Sequence, residues 1–365
     1  MEIAVNTRLL LPNKLEGIGR FCWESLRRLA EMHPEHNFHL LFDRKYDEQF
    51  ITANNMIPHV VHPQARHPFL YMLWFNFAIP RKLKSLNADL FLSPDGYCSL
   101  NTKVKQLAVI HDLNFEHRPA DLPLKDRLYY QHYFPKFAQV AQRIATVSEY
   151  SKQDLVNSYK VSEDKVDVVY NGVSHCFQPQ SSSQRPFTNS KPYFLFVGSL
   201  HPRKNLVNLV KAYQAYRKKE AEPHELLIVG TKMWDDDFLA GEEHSEGVHF
   251  SGRITDEQLA EVYSNAEAFV FPSYFEGFGI PLVEAMACGC PVISSNATCM
   301  PEIAGDAALY FHPDNIEELS DLLSKIHHDQ QLSASLKEKG LERAKIFTWE
   351  RTAKLLSESM QKCLS

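Results

Sequence analysis

Short apolar runs alternate with longer amphipathic stretches along the whole chain. The runs are rich in Val, Ile, Leu and Phe, which indicates buried strands. The stretches between them, such as Gly19–Met32 and Arg127–Gln142, have helical periodicity. This order favours a parallel sheet covered by helices. The strands that we predict in the first half are Ile3–Asn6, Phe38–Phe42, Leu90–Ser93, Leu107–Ile110, Ile144–Val147 and Val166–Tyr170.

The same alternation restarts in the second half of the chain. Residues 178–191 separate the halves and contain prolines and a serine run, which is typical of a linker. We therefore predict two doubly wound α/β domains with parallel sheets, residues 1–177 and 192–347. A last helix is expected within residues 348–365. The strands predicted in the second half are Tyr193–Val197, Glu225–Gly230, Val248–Phe250, Ala268–Phe271 and Pro291–Ser294.

Composition narrows the class of protein. The 365 residues suffice for two domains of ordinary size. No apolar run approaches the roughly 20 residues of a membrane span, and the N-terminus lacks the pattern of a signal peptide. Seven cysteines without metal-ligand spacing are expected to be reduced thiols, so we predict a cytoplasmic protein. A formal net charge of −6 argues against nucleic acid as a partner.

The segment that carries most chemical information follows the predicted strand Ala268–Phe271. Its glycine-rich turn leads into a helix, for which Pro281 is a suitable first residue. Backbone N–H groups of Phe278, Gly279 and Ile280 would point out of the start of this helix. Such a helix start binds anions, most often phosphate. The segment reads Phe275-Glu-Gly-Phe-Gly-Ile-Pro-Leu-Val-Glu-Ala-Met-Ala-Cys-Gly289.

This segment resembles the paired-glutamate signature of retaining glycosyltransferases of family 4. The resemblance implies the GT-B fold, in which two Rossmann-like domains flank a cleft. It also implies that Glu284 accepts hydrogen bonds from the ribose hydroxyls of a nucleotide and that Glu276 holds a hydroxyl of the transferred sugar. In such enzymes the leaving phosphate itself takes the proton of the acceptor, on the front face of the sugar. The alternative is a strand–helix unit with solvated glutamates.

A second motif follows the strand Tyr193–Val197 and reads Val197-Gly-Ser-Leu-His-Pro-Arg-Lys-Asn205. It resembles the family's basic loop that grips the diphosphate of the donor. By this resemblance, Arg203 and Lys204 would neutralise the leaving nucleoside diphosphate. Many relatives carry an arginine directly after the glycine, where this chain has Ser199. Either Arg203 supplies the second cation or the site has only one, and a surface pair without a role is the alternative.

A third motif follows the first predicted strand and reads Leu15-Glu-Gly-Ile-Gly-Arg-Phe21. It resembles the Gly-Gly-Ile-Gly-Arg-Tyr loop of the family, with Glu16 in place of the first glycine. Gly17 and Gly19 would let the backbone approach the diphosphate and the acceptor. Two glycines at a helix start can equally be ordinary turn residues.

Two further positions match the family more weakly. His111, at the end of the strand Leu107–Ile110, corresponds to a histidine near the donor sugar, although a structural histidine is the alternative. Ile254 lies where relatives bind the base of the nucleotide. A structural isoleucine in the buried core explains this residue equally well. Asp235-Asp-Asp237 imitates the metal motif of another glycosyltransferase fold, but we interpret it as a solvated loop. The resemblance implies no metal and no other cofactor.

The function implied is transfer of a hexose from a nucleotide sugar to a glycan or lipid-linked saccharide, with retention of configuration. The form of the basic loop is most similar to bacterial mannosyltransferases of polysaccharide assembly, which favours GDP-mannose over a UDP-hexose. A nucleotide-sugar epimerase and a non-catalytic binding subunit are the alternatives. Residues 65–86 combine aromatic with basic residues. They would either touch the inner face of the plasma membrane or, as we favour, form a buried helix broken at Pro80.

Overall fold

The computed structural model describes residues 1–12, 15, 17–181, 187–188, 191–231, 241 and 245–365. The chain divides into two compact units. The first contains Met1–Gly172 together with Trp349–Ser365, and the second contains Val173–Thr348. The described part of the linker segment, residues 178–191, belongs to the second unit.

The first unit contains a seven-stranded sheet in the order β3-β2-β1-β4-β5-β6-β7. All neighbouring strands are parallel. The order reverses direction beside β1, which makes the sheet doubly wound. The strands are β1 (Glu2–Asn6), β2 (Asn37–Phe42), β3 (Met56–Val60), β4 (Leu90–Ser93), β5 (Lys105–Val109), β6 (Arg143–Thr146) and β7 (Val166–Val168).

Helices pack on both faces of this sheet because alternate residues of its central strand point to opposite faces. Ile3 and Val5 lie in one buried apolar cluster, together with Phe21 and Trp349, and Ala4 lies in the other. The helices of the unit are α1 (Gly17–Met32), α2 (Pro68–Leu73), α3 (Ile79–Ser85), α4 (Asn114–His117), α5 (Leu124–Val140), α6 (Glu149–Tyr159) and, at the end of the chain, α13 (Trp349–Leu364).

Within residues 65–86, residues 68–85 form a helical segment with one buried face. Trp74, Phe75, Ile79 and Leu83 lie in the core, and the segment continues from α2 into α3 through a π-helical turn at Trp74–Ala78. The predicted break at Pro80 is therefore wrong. Proline has no N–H group to donate within a helix, and its ring crowds the carbonyl group four residues earlier. The wider π-helical turn before Pro80 accommodates the missing hydrogen bond and the bulk of the ring. Among the described residues, no helix combines the length and the apolarity needed to span a bilayer.

The second unit repeats the same plan with a six-stranded parallel sheet in the order β10-β9-β8-β11-β12-β13. Its strands are β8 (Tyr193–Val197), β9 (Glu225–Val229), β10 (Val248–Gly252), β11 (Ala268–Phe271), β12 (Val292–Ser295) and β13 (Ala308–Phe311). Its helices are α7 (Leu206–Lys219), α8 (Asp256–Asn265), α9 (Ile280–Ala287), α10 (Met300–Ala304), α11 (Ile316–His328) and α12 (Gln330–Ala344). Two doubly wound parallel-sheet units confirm the predicted fold class.

The ends of β8 and β9 approach each other very closely at two glycines. The amide of Gly198 donates to the carbonyl of Val229 at 3.0 Å, and Gly230 follows directly. A Cβ atom built on Gly230 would lie 1.8 Å from the carbonyl oxygen of Gly198. Only glycine fits there without a shift of the backbone that leads into the basic loop.

We expect Gly230→Ala to lower the free energy of unfolding by about 2–3 kcal/mol, because the methyl group must push the β8 end away. Gly17→Ala is the matched control, since a Cβ atom added at Gly17 would have no other atom within 4 Å. Urea midpoints followed by circular dichroism provide the measurement. Equal midpoints for the two variants would contradict the close packing at Gly230.

Candidate active site

Two of the three predicted donor-binding motifs, the basic loop and the segment Phe275–Gly289, meet at the switch point of the second sheet. Strands β8 and β11 are neighbours there, and the strand order runs away from them in both directions. In open α/β sheets, the crevice beyond the carboxyl ends of such strands is where ligands bind. Residues 198–205 follow β8 and residues 272–279 follow β11, so both loops lie at this crevice.

The basic loop is held rigidly by its own residues. Pro202–Lys204 form a short 3-10 turn, and the amide of Arg203 donates to the ring of His201 at 3.1 Å. Asn205 has a left-handed backbone with φ of 59°. Its side-chain amide donates to the carbonyls of Pro272 at 3.1 Å and Pro313 at 2.7 Å. These hydrogen bonds fix the backbone from which the side chains of Arg203 and Lys204 extend.

Glu276 bridges these two cations. Its Oε1 lies 2.7 Å from Lys204 Nζ, and its Oε2 lies 2.7 Å from Arg203 Nη1. Lys204 and Glu276 are each only 7% exposed. Arg203 Nη1 also donates to the carbonyl of Phe275 at 2.6 Å, and Lys204 Nζ lies 5.0 Å from the ring centroid of Phe271. The carboxylate and Lys204 are thus buried and Arg203 is half-buried, and the three groups together carry one positive charge.

The charges of this cluster set the protonation state of Glu276. Burial alone would raise its pKa, but the positive charges of Arg203 and Lys204 outweigh burial and lower the pKa to about 2. The carboxyl group is therefore ionised at any ordinary pH. Both of its oxygens contact cations, which makes it a weak base and a weak nucleophile.

The loop after β12 forms hydrogen bonds with the backbone of Glu276. The amide of Glu276 donates to Thr298 Oγ1 at 3.2 Å, and the thiol of Cys299 donates to the carbonyl of Glu276 at 3.2 Å. Thr298 has a left-handed backbone, with φ of 51°. Sequence reasoning did not single out Thr298, and its position in the loop after the predicted strand Pro291–Ser294 was the available signal.

The turn before α9 has the geometry of a helix start. Gly279 is the N-cap residue with φ of 86°, a left-handed conformation that favours glycine. Ile280 is the first helical residue, and Pro281 follows it. Phe278 lies next to Gly279, and its buried ring packs edge-on against Phe347 at 5.5 Å. A ligand role for Phe278, Gly279 and Ile280 therefore concerns their backbone N–H groups.

Glu284 lies on the second turn of α9 and is 7% exposed. The hydroxyl of Tyr263 on α8 donates to its Oε2 at 3.3 Å. Burial, with the Glu284 charge as a smaller cause, keeps the pKa of Tyr263 well above its ordinary value, so this hydroxyl remains a donor. Ile254 precedes the capping box of α8 and is half-buried, and Ser199 is half-buried at the end of β8.

His111 belongs to the first unit and lies beyond the end of β5. Its Nε2 donates to the carbonyl of Pro94 at 2.8 Å, and its ring packs edge-on against Phe21 at 5.0 Å. Burial lowers the pKa of His111, although the Pro94 hydrogen bond and the nearby carboxylates of Asp112 and Asp95 oppose this. A neutral ring with its proton on Nε2 carries an acceptor lone pair on Nδ1.

The first unit also contains a polar cluster at its own switch point, between β1 and β4, which sequence reasoning missed. Asn6 Nδ2 donates to Asp95 Oδ1 at 2.7 Å, and Arg8 Nε lies 2.6 Å from Asp95 Oδ2. The guanidinium of Arg8 lies 4.5 Å from the ring centroid of Tyr97 and 5.0 Å from that of Tyr71. Asn6 ends one predicted strand and Arg8 follows it, and Asp95 follows another, so their positions at strand ends could have revealed them.

The two glycines of the third motif differ in structure. Gly17 is exposed at the first residue of α1, and the space around its Cβ position is open. At Gly19 a Cβ atom would lie 2.8 Å from the carbonyl oxygen of Leu9. The close approach at Gly19 is therefore to the chain's own backbone. Glu16 and the Asp235–Asp237 segment lie outside the described residues.

Two family models match adjacent parts of the chain and together cover most of it. "Glycosyltransferase Family 4" matches residues 15–175, and "Glycosyl transferases group 1" matches residues 177–343. The chain is 28% identical to O-antigen chain mannosyltransferase B of Escherichia coli over an alignment of 358 positions, which covers 92% of this chain and 93% of that protein.

A second relative is also a mannosyltransferase. Identity to O-antigen chain mannosyltransferase RfbU of Salmonella typhimurium is 29% over an alignment of 237 positions, which covers 61% of this chain and 64% of that protein. The structure of sucrose-phosphate synthase from Thermosynechococcus elongatus matches with a TM-score of 0.76 at 21% identity, over 99% of this chain and 98% of that one. That likeness shows the fold. The chain therefore belongs to the family 4 glycosyltransferases and has the GT-B fold.

Proposed function

We propose that this glycosyltransferase moves mannose from GDP-mannose to a hydroxyl group of a glycan or lipid-linked saccharide, with retention of configuration and without a metal ion. The observation that carries the proposal is the buried bridge of Glu276 between Arg203 and Lys204. It places two cations and one carboxylate at the crevice where open α/β sheets bind ligands.

The excess positive charge suits the leaving group of a sugar transfer. Negative charge develops on the nucleoside diphosphate as the bond to the sugar breaks, and fixed cations stabilise it most strongly in a site that excludes water. Arg203 and Lys204 would supply this stabilisation together with the N–H groups at the start of α9. Two fixed cations can take the part that a divalent metal plays in other transferases.

The state of Glu276 favours the front-face route. A carboxylate with a pKa of about 2 and with both oxygens engaged by cations neither attacks the sugar nor removes a proton readily. It can still accept a hydrogen bond from a sugar hydroxyl. The acceptor proton would therefore go to the leaving phosphate, as the resemblance implies. Glu284, oriented by Tyr263, would accept hydrogen bonds from the ribose.

The choice of mannose rests on the His201–Asn205 form of the basic loop and on the names of the two mannosyltransferases reported above. Those relatives also suggest a saccharide acceptor of O-antigen type. Contact of residues 65–86 with a membrane is supported by Phe69 and Phe77, which are 60% and 46% exposed. Co-sedimentation with anionic vesicles that is unchanged in Phe69→Ser would exclude contact through Phe69.

Transfer activity tests the residue roles. We expect Lys204→Met and Glu276→Gln each to lower kcat by about 10²–10³, because each removes a charged group aimed at the reacting centre. Lys211→Met, at an exposed position of α7, is the matched control and should retain full activity. Circular dichroism checks that the variants are folded, and proton NMR of the product should show the retained anomer. Full activity in Lys204→Met would contradict the assignment, and an inverted product would contradict the mechanism.

The ionised state of Glu276 predicts a pH dependence of stability. Its pKa is lowered in the folded protein from 4.5 to about 2, so the carboxylate stabilises the fold above pH 4.5, and this contribution is lost as the pH falls towards 2. The shift corresponds to about 3 kcal/mol. The urea midpoint of Glu276→Gln should therefore lie below that of the unmodified protein at pH 7 and approach it by pH 3.

Glu338→Gln is the control for this pH series, because Glu338 is exposed on α12. Its midpoint should follow that of the unmodified protein at every pH. A difference between Glu276→Gln and the unmodified protein that stays constant from pH 7 to pH 3 would contradict the lowered pKa.

A further inference from the structure

A four-residue turn in the first unit gathers two histidines and a glutamate. His33-Pro34-Glu35-His36 connects the end of α1 to the start of β2. Because β2 begins directly after this turn, the turn lies at the amino-terminal edge of the sheet. The polar groups described above for this unit, Asn6, Asp95 and His111, lie at the opposite edge, so the turn is separate from that site.

The side-chain atoms of the turn have the spacing of metal ligands. Glu35 Oε1 lies 3.4 Å from His33 Nδ1 and 3.2 Å from His36 Nδ1. One ligand atom from each of the three residues lies within 4.8 Å of the others. Tetrahedral zinc with bonds of about 2.0–2.1 Å separates its ligand atoms by roughly 3.3–3.4 Å. The two measured distances agree with that spacing.

Hydrogen bonding accounts for only part of this convergence, because the side chain of His33 hydrogen-bonds to Glu35 whereas Nδ1 of His36 does not. Among the described residues, His36 Nδ1 is a buried atom without a hydrogen-bond partner, although it is close to Glu35. The two rings are stacked, parallel within 5° and with centroids 5.1 Å apart, so they must rotate before both Nδ1 lone pairs point at one ion. A buried polar atom in a native protein normally has a partner. A cation held between the two Nδ1 atoms and the carboxylate would provide one.

The turn is held in place before any ligand arrives. The amide of His36 donates to the carbonyl of His33 at 3.0 Å, and Pro34 restricts the backbone between them. Asn55 Nδ2 donates to the carbonyls of both histidines at 3.1 Å. His33 Nε2 lies 2.7 Å from Ser357 Oγ on α13. A metal on Nδ1 requires the proton on Nε2, which would then donate to Ser357.

We propose that His33, Glu35 and His36 bind one Zn²⁺ ion through two imidazole nitrogens and a carboxylate. Glu35 is 60% exposed, so the ion enters from its side and water completes the tetrahedron there. The bound ion links the α1–β2 turn to α13 through His33 and Ser357. Its role is to stabilise the first unit, and it takes no part in the transfer reaction.

A second cluster, Glu220 with His327 and His328, provides an internal comparison. His328 Nε2 lies 2.8 Å from Glu220 Oε2, and the hydroxyl of Tyr216 lies 2.7 Å from His327 Nδ1. Ordinary hydrogen bonds account for these contacts. The His328→Ala substitution removes this cluster as a competing zinc site in the measurements below.

The test is a calorimetric titration of the full-length protein with Zn²⁺, in the His328→Ala background and after treatment with a chelator. We expect one site. Glu35→Gln and His36→Ala should each weaken binding at least about tenfold, and Ser357→Ala should weaken it about 10–100-fold as a positioning residue. His59→Ala, at another histidine of the first unit, is the control and should bind as the parent does.

Thermal melting gives a second readout, because an ion that binds only the folded protein raises Tm. Zinc should raise the Tm of the parent and of His59→Ala but leave that of Glu35→Gln unchanged. Glu35 is exposed, so its substitution leaves the fold intact. Undetectable binding in the parent, or zinc affinity that is equal in the parent, Glu35→Gln and His36→Ala, would overturn the proposal.

Discussion

The buried bridge from Glu276 to Arg203 and Lys204 is the constraint on which the site in the second unit depends. Three charged groups removed from water destabilise a fold unless they are paired with good geometry. Here each carboxylate oxygen contacts one cation at 2.7 Å, and the pKa of about 2 reflects that pairing. Because the cluster keeps an excess positive charge, the diphosphate of the proposed donor would gain a cationic partner there.

The parallel sheet is what brings these groups together. Lys204 and Glu276 are 72 residues apart in sequence, but they follow the adjacent strands β8 and β11. The glycine contact at Gly198 and Gly230 sets the path of the chain out of β8, and Asn205 fixes where the basic loop ends. Small backbone features that carry no chemistry therefore determine the positions of the charged side chains.

Sequence reasoning succeeded where the local pattern was strong. Strands β8 and β11 were predicted with the observed bounds because both are continuous apolar runs. It missed β3, because Pro58 and His59 interrupt the apolar run, which an edge strand tolerates. It also missed β13, which is only partly buried. It named Arg203, Lys204 and Glu276 from motifs, but their direct pairing and the Arg8–Asp95 cluster depend on strand order, which periodicity does not encode.

The most direct test of this account is whether Lys204 binds a nucleoside diphosphate. Calorimetric titration with GDP and with UDP should show binding of GDP, and Lys204→Met should weaken it about 10–100-fold, the loss expected for a charge-assisted hydrogen bond. Lys211→Met should bind GDP as the unmodified protein does. If UDP binds more tightly than GDP, a UDP-hexose replaces GDP-mannose as the proposed donor. Equal GDP affinity in Lys204→Met and the unmodified protein would contradict the central claim that this buried cluster is the donor site.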